Sequence, residues 1–173
     1  QNPRLKFIYF SSILAGVIDN DYYNHNTKME KIISNGSNSY IIFKLPQVIG
    51  KIGNQNNLVN NLTNSIKDGE LVTIYTDAKR SLIDILDVVK IVNYCKDRVN
   101  RRIMYVSEIE KVSVSDIVYG ISDILKLPVK SLVDDSPQVN WDRKNSELVD
   151  EAIDFSKIKK KSYTKRTLIK YIK

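Results

Sequence analysis

Residues 6–28, KFIYFSSILAGVIDNDYYNHNTK, constrain the fold more than any other stretch. The run at residues 5–12 is continuously apolar and aromatic and of strand length, which reads as a central parallel strand covered on both faces. It ends on Ser11 and Ser12, crosses a loop holding Gly16, Asp19 and Asn20, and opens a helix that carries Lys28. A hydroxyl and an ammonium are therefore expected at the carboxyl end of a strand, where open α/β sheets bind ligands.

The helix is expected from about Tyr23 to Ser34, with Met29, Ile32 and Ile33 on one side and Asn35-Gly36 as the stop. SYIIFKL, residues 39–45, is the next strand, closed by Pro46, which cannot donate to a ladder. Two strands joined by a helix imply a right-handed crossover and a parallel pair. A polar loop with Gly50 and Gly53 follows, then a helix with Leu58, Leu62 and Ile66 at fourfold spacing that Gly69 ends. Residues 70–77 alternate as a short strand, DAKR turns, and residues 81–98 run from strand into a strongly apolar helix. Residues 101–108 are a further strand candidate. VSVSDIVYGISDILKL is a helix capped by Ser113 or Ser115 and ended at Leu127-Pro128. A loop over residues 134–141 leads to two more helical stretches, SELVDEAIDF and SYTKRTLIKYIK.

With 173 residues, 42% of them hydrophobic and 27% charged, the chain is long enough for a globular core and is not disordered or collagen-like. One cysteine, Cys95, and one histidine, His25, leave no disulfide framework and no Cys/His zinc cluster, so no metal site is expected. Helical spacing reads Cys95 as a small buried hydrophobe, with a reactive thiol as the alternative. The net charge of +7 concentrates at residues 157–173, which hold eight Lys or Arg and no acid. That end is read as a solvated helix, with a nucleic-acid patch as the less favoured alternative. No apolar run reaches the roughly 20 residues of a membrane span, and no signal-peptide layout opens the chain. A soluble cytoplasmic protein, with no membrane partner and nucleic acid unfavoured, is the expectation. Because Gln1 stands only a few positions before a hydrophobic strand, the chain is expected to be a fragment whose first strands lie before this point.

Four segments in order, FIYFSS, the helix with TK, KLPQVIGKIGNQNNLVNNL and IYTDAKRSLIDILDVVKIV, carry a resemblance. They resemble the later half of an extended short-chain dehydrogenase/reductase of the nucleotide-sugar epimerase and dehydratase type. Its patterns read roughly as a serine-ended strand, Tyr-x-x-x-Lys, Arg-x-x-Asn-x-x-Gly, and Arg-Asp-x-x-x-Val-x-Asp-Val. The resemblance covers residues 5–95 best. It implies an α/β fold, the last strands of a Rossmann-type parallel sheet plus a small α/β substrate-binding lobe. Residues 1–50 would complete the nucleotide-binding domain, and residues 51–173 would be mainly the substrate lobe with interleaved Rossmann elements.

Position by position, the resemblance implies that Ser12 hydrogen-bonds a substrate hydroxyl or carbonyl, and that Lys28 holds the nicotinamide ribose and lowers the pKa of a tyrosine base. Leu45 and Pro46 would line the cofactor, NAD or NADP. Gln47, Asn56, Asn57 and Leu58 would meet the sugar nucleotide, the last three at a helix start suited to a diphosphate. Arg80 would pair with that diphosphate through its guanidinium fork. Ser81 replaces the usual aspartate, and Asp84 and Asp87 read as helix-start or structural carboxylates.

The tyrosine departs from the pattern, because Asn24 stands four residues before Lys28 and Tyr23 five before. Positions five apart diverge by roughly 140° on a helix. Either an irregular turn lets Tyr23 serve as the catalytic tyrosine, or Asn24 occupies its place and leaves a catalytically inactive relative that binds only a sugar nucleotide or a protein. His25 is a further proton carrier in a variant chemistry, though a surface role is favoured. The glycine-rich pyrophosphate loop is absent, and the one close glycine pair, Gly50 and Gly53, follows a late strand. The expected function is hydride exchange at a sugar carbon of a nucleotide-diphosphate sugar, in a homodimer packed through the helix after Tyr23.

Overall fold

The computed structural model describes residues 5–51, 57–140 and 143–172. In chain order its elements are β1 (Phe7–Ser12), α1 (Asp21–Gly36), β2 (Tyr40–Leu45), β3 (Gln47–Ile49), α2 (Leu58–Lys67), β4 (Leu71–Tyr75) and β5 (Lys79–Asp84). They continue with α3 (Ile85–Cys95), β6 (Arg102–Tyr105), β7 (Lys111–Ser113), α4 (Val114–Leu125), β8 (Lys130–Asp134), α5 (Glu147–Phe155) and α6 (Tyr163–Tyr171). The chain divides into two compact units. The first comprises Gln1–Pro46, Asp87–Ser107 and Trp141–Ile158, the second Gln47–Leu86, Glu108–Asn140 and Lys159–Lys173.

The first unit is built on a parallel sheet in the order β1-β2-β6. β2 is the central strand, and all six of its residues are buried. β1 was expected to be central. Among the described residues it pairs only with β2, and Phe7 and Phe10 are about half exposed. An unbroken apolar run fits an edge strand with an uncovered face as well as a central one, so the pattern alone did not separate the two.

Strand alternation sends Tyr9, Tyr40 and Ile42 to one face, where Met29 and Ile33 of α1 pack on them. Ile32, expected on that side, is half exposed, because it lies about 100° around the helix from Ile33. On the other face the register aligns Phe10, Phe43 and Met104. α1 starts on a true cap, the Asn20 Oδ1 accepting from Tyr23 N at 2.9 Å, and Asp21 favours the positive end of the helix dipole. α5 buries Val149, Ala152 and Ile153 completely, and Phe155 reaches the Tyr94 ring of α3 at 5.0 Å between centroids. Cys95 is fully buried, its Sγ 3.9 Å from the Leu148 carbonyl, and burial pushes the thiol up to about 11. That makes it packing rather than a nucleophile.

The second unit holds two small sheets. In one, β5 pairs parallel with β3 and antiparallel with β7; in the other, β4 and β8 run parallel. α2, α4 and α6 converge on a core that includes Leu62, Ile66, Leu82, Ile117, Ile121 and Leu168. Ser113 is the α4 cap, its Oγ accepting from Asp116 N at 3.0 Å. Gly69 closes α2 at φ +68°, a left-handed turn that favours glycine.

Gly50 is held by space rather than by dihedral angle. A Cβ there would stand 2.9 Å from Ile85 Cγ2 and 3.4 Å from Ile85 Cβ, a branched carbon that cannot swing aside. Gly50→Ala is expected to lower stability by about 1–3 kcal/mol. Thermal melts of Gly50→Ala and Gly36→Ala check this, since a Cβ at Gly36 meets nothing within 4 Å and the second variant should melt like the wild type.

Candidate functional site

Ser11 and Ser12 end β1 on opposite faces of the sheet, and this alternation divides their roles. Ser11 is buried toward α1 and donates its hydroxyl to Glu30 Oε1. Ser12 is half-buried, and its Oγ accepts from Leu14 N at 3.2 Å, a role that does not consume the hydroxyl proton. The following turn is closed by Ala15 N to Ser12 O, and by Val17 N and Ile18 N to Leu14 O. Gly16 sits in it at φ +82°.

α1 presents to the sheet a row different from the one expected. Asn26 and Glu30 are its buried polar residues, four apart on one face, and Tyr22 heads the same row one turn earlier. Tyr9 of β1 donates to Asn26 Oδ1 at 2.9 Å, and Asn26 Nδ2 donates to the Tyr22 carbonyl at 3.0 Å. Burial, and then the nearby Tyr22 and Glu30 charges, hold the Tyr9 hydroxyl above the ordinary tyrosine value, so it stays a neutral donor.

Lys28 is exposed and lies roughly 160° around the helix from both Asn26 and Glu30. Tyr23 is half-buried at the helix start, its ring edge-on to Tyr22 at 5.1 Å, and it projects from a different face than Lys28. Asn24 and His25 are exposed. The helix therefore does not gather Tyr23 and Lys28 on one face beside Ser12, because their five-residue spacing persists in a regular helix without the irregular turn that would align them. In place of a Tyr-x-x-x-Lys row the buried, sheet-facing polar pair of α1 is Asn26 and Glu30, with Tyr22 exposed one turn before Asn26.

Lys44 is the cation at this place. It projects from β2 to the α1 side, its Nζ 3.1 Å from Glu30 Oε2 and 2.9 Å from the Ala15 carbonyl, with both charged side chains 9% exposed. Leu45 is buried and its carbonyl takes Ile13 N at 3.0 Å; Pro46 is half-buried and ends this part of the first unit.

In the second unit Gln47 opens β3, half-buried and in register with Leu82. Asn57 caps α2, its Oδ1 accepting from Asn60 N at 2.8 Å, and Leu58 packs its first turn on the core. Asn56 lies outside the described residues. Arg80, on β5, donates Nη1 to the carbonyls of Lys79 at 2.8 Å and Val139 at 3.4 Å. Backbone carbonyls thus orient a guanidinium suited to phosphate oxygens. Asp84 is a structural carboxylate, as expected, accepting from Tyr171 Oη at 2.7 Å and from Lys170 and Leu86 N.

The buried pair Lys44 and Glu30, with Ser11, Tyr9 and Asn26, escaped the sequence reading. A signal existed: a lysine inside the otherwise apolar YIIFKL must find a counter-ion when the strand is buried.

By sequence, no family model and no curated protein matches the chain. By structure, it is similar to dTDP-glucose 4,6-dehydratase of Bacillus anthracis in complex with NAD, at TM-score 0.73 and 8% identity, over 96% of this chain and 60% of that one. UDP-N-acetylglucosamine 4-epimerase of Methanobrevibacter ruminantium, in complex with UDP-N-acetylmuramic acid, matches at TM-score 0.71 and 16% identity over 96% and 61%. UDP-glucuronic acid 4-epimerase of Bacillus cereus, in complex with UDP-glucuronic acid and NAD, matches at 0.69 and 15% over 96% and 61%. The chain thus spans about 60% of the length of these three structures. Parallel β1-α1-β2 order, the return of the chain through α3 to β6 and this coverage agree: the chain has the α/β fold of the carboxyl-terminal portion of extended short-chain dehydrogenase/reductases of the nucleotide-sugar epimerase and dehydratase type.

Proposed function

We propose that this chain is the sugar-nucleotide-binding portion of an NAD- or NADP-dependent epimerase, dehydratase or reductase, in which hydride passes between a nicotinamide and a sugar carbon. The observation that carries this reading is the fold match over 96% of the chain to enzymes of that kind. The first unit is assigned to the nucleotide-binding domain and the second to the substrate lobe. Ser12 is assigned to a sugar hydroxyl or carbonyl, Gln47 to the sugar nucleotide, and Asn57, Leu58 and Arg80 to its diphosphate. A homodimer packed through the outer face of α1, where Ile32 is half exposed, belongs to the same reading. The residues present fit only the rim of a dinucleotide site. The sequence holds no Gly-x-Gly-x-x-Gly, and Lys28 is exposed on a face of α1 other than the one that meets the sheet.

A second reading, a relative that binds the sugar nucleotide without hydride chemistry, is favoured by Asn26. A proton-carrying tyrosine needs a neighbouring cation to lower its pKa, and an amide four residues beyond Tyr22 has no charge to give. Calorimetric titration of the full-length gene product with UDP-glucose and dTDP-glucose tests the first part. Saturable binding that Arg80→Ala weakens about tenfold is expected, and no heat with either ligand would overturn it. Chromatography of the sugar nucleotide after incubation with NAD separates the readings, because epimerisation and dehydration return the hydride and accumulate no NADH: conversion of UDP-glucose or dTDP-glucose to an isomer or a dehydrated product removes the inactive one, and unchanged sugar nucleotide after hours supports it.

A further inference from the structure

We propose that Lys44 is a positioning residue for the site, a buried cation that holds the turn carrying Ser12 in place through the Ala15 carbonyl and Glu30. Three separate pieces of the first unit meet at its ammonium. Lys44 comes from the central strand β2 and bonds Ala15 O in the turn after β1. It pairs with Glu30 of α1, and Glu30 in turn accepts from Ser11, the neighbour of Ser12. Ser12 therefore lies between two anchored points, Ser11 on one side and Ala15 three residues on.

This arrangement is costly where it stands. A helix packed on a sheet ordinarily meets it with apolar side chains, and two well-packed hydrophobes in place of a buried ion pair are often as stable or more so. What an apolar pair would not supply is direction. An ammonium has three donors, and here two of them run to fixed acceptors on different elements, which orients a turn whose only other backbone tie to β2 is Ile13 N to Leu45 O at its start, the rest being its own short bonds. The Tyr105 ring, centred 5.8 Å from Nζ, flanks the same charge from β6. Ile13 and Ala15 of the turn are buried, but Gly16 and Val17 after them are exposed, and a segment with exposed backbone opens more readily than the core it joins.

Amide hydrogen exchange of the full chain tests this. In Lys44→Met, exchange at Ala15, Val17 and Ile18 should accelerate on the order of tenfold while Ile41 to Phe43 keep wild-type protection. Lys44→Arg, which retains charge and donors, should restore the turn. Turn amides that exchange as in the wild type in Lys44→Met, or an arginine variant that behaves like methionine, would overturn the proposal. Should Lys44→Met fail to fold, Ser11→Ala removes only the outer link and should loosen the same amides to a lesser degree; no change there also overturns it. Where the sugar-nucleotide reading holds, Lys44→Met should further weaken UDP-glucose binding with rescue by arginine. A wild-type chain that does not bind UDP-glucose sinks that reading alone, because the exchange measurement needs no ligand.

Discussion

Truncating Phe43 to alanine should lower the stability of the first unit by about 3–5 kcal/mol, much of what a small domain possesses. Phe43 is 0% exposed at the centre of the central strand, with Phe10 beside it on β1 and Met104 on β6. Its ring stacks on that of Phe10 at 6.1 Å and 28°. Alanine would remove the ring from a site walled on both sides by strands that hydrogen bonds hold at fixed spacing, so the cavity cannot collapse and most of its cost remains. Phe10 provides the comparison. It shares the face and the ring contact but is 49% exposed, so Phe10→Ala should cost less than about 1.5 kcal/mol. Urea denaturation followed by far-ultraviolet circular dichroism measures both. Equal losses in the two variants would mean that the Phe10 side of the sheet is as enclosed as the centre.

The same contrast shows what the residues disclosed and what they withheld. Strands and helices with strong periodicity were legible: β2, α2, the passage from β5 into α3, and α4 stand where the pattern put them. The three short strands β3, β7 and β8 were not, since Gln47–Ile49 and Lys111–Ser113 have three residues each and show no period. β8 is mostly exposed, pairing with β4 through its backbone while Leu132 and Val133, on its two faces, are both exposed. Its pairing is a tertiary fact that local sequence does not encode. At the site, Ser12 was legible as a hydroxyl at the end of a parallel strand. The helix face was not, because Tyr22, Tyr23, Asn24, His25 and Asn26 offer polar or aromatic side chains on every side, and only packing on Tyr9 and Ser11 selects the row that turns inward. The lysine that α1 carries at the expected place, Lys28, is exposed, whereas the buried lysine belongs to the neighbouring strand.

The second large effect concerns Asp84, which fastens α6 to the end of β5. Its carboxylate, in a residue 6% exposed, accepts from Lys170, Tyr171 and Leu86 N, while the Tyr163 hydroxyl accepts from its backbone N–H. Asp84→Ala should cost about 2–3 kcal/mol, counting about one for each strong hydrogen bond and discounting that of the half-exposed Lys170. The loss should depend on pH in a definite direction. Burial works against the charge on Asp84, but the hydrogen bonds from Lys170 and Tyr171 outweigh it and hold the carboxyl below its ordinary value. A carboxylate whose folded pKa is depressed contributes stability that is complete above the unfolded value near ~3.9 and is lost as pH falls through the folded one. Wild type and Asp84→Asn should therefore differ most in melting temperature near neutrality and converge in strong acid. At the alkaline end, the hydrogen bond to Asp84 raises the Lys170 pKa, and burial raises that of Tyr171. Their contributions hold below the unfolded values and fade as pH rises through the folded ones, narrowing the gap again. A gap that stays constant from acid to neutral pH would show that Asp84 acts by its shape alone, and the latch between β5 and α6 would then owe nothing to charge.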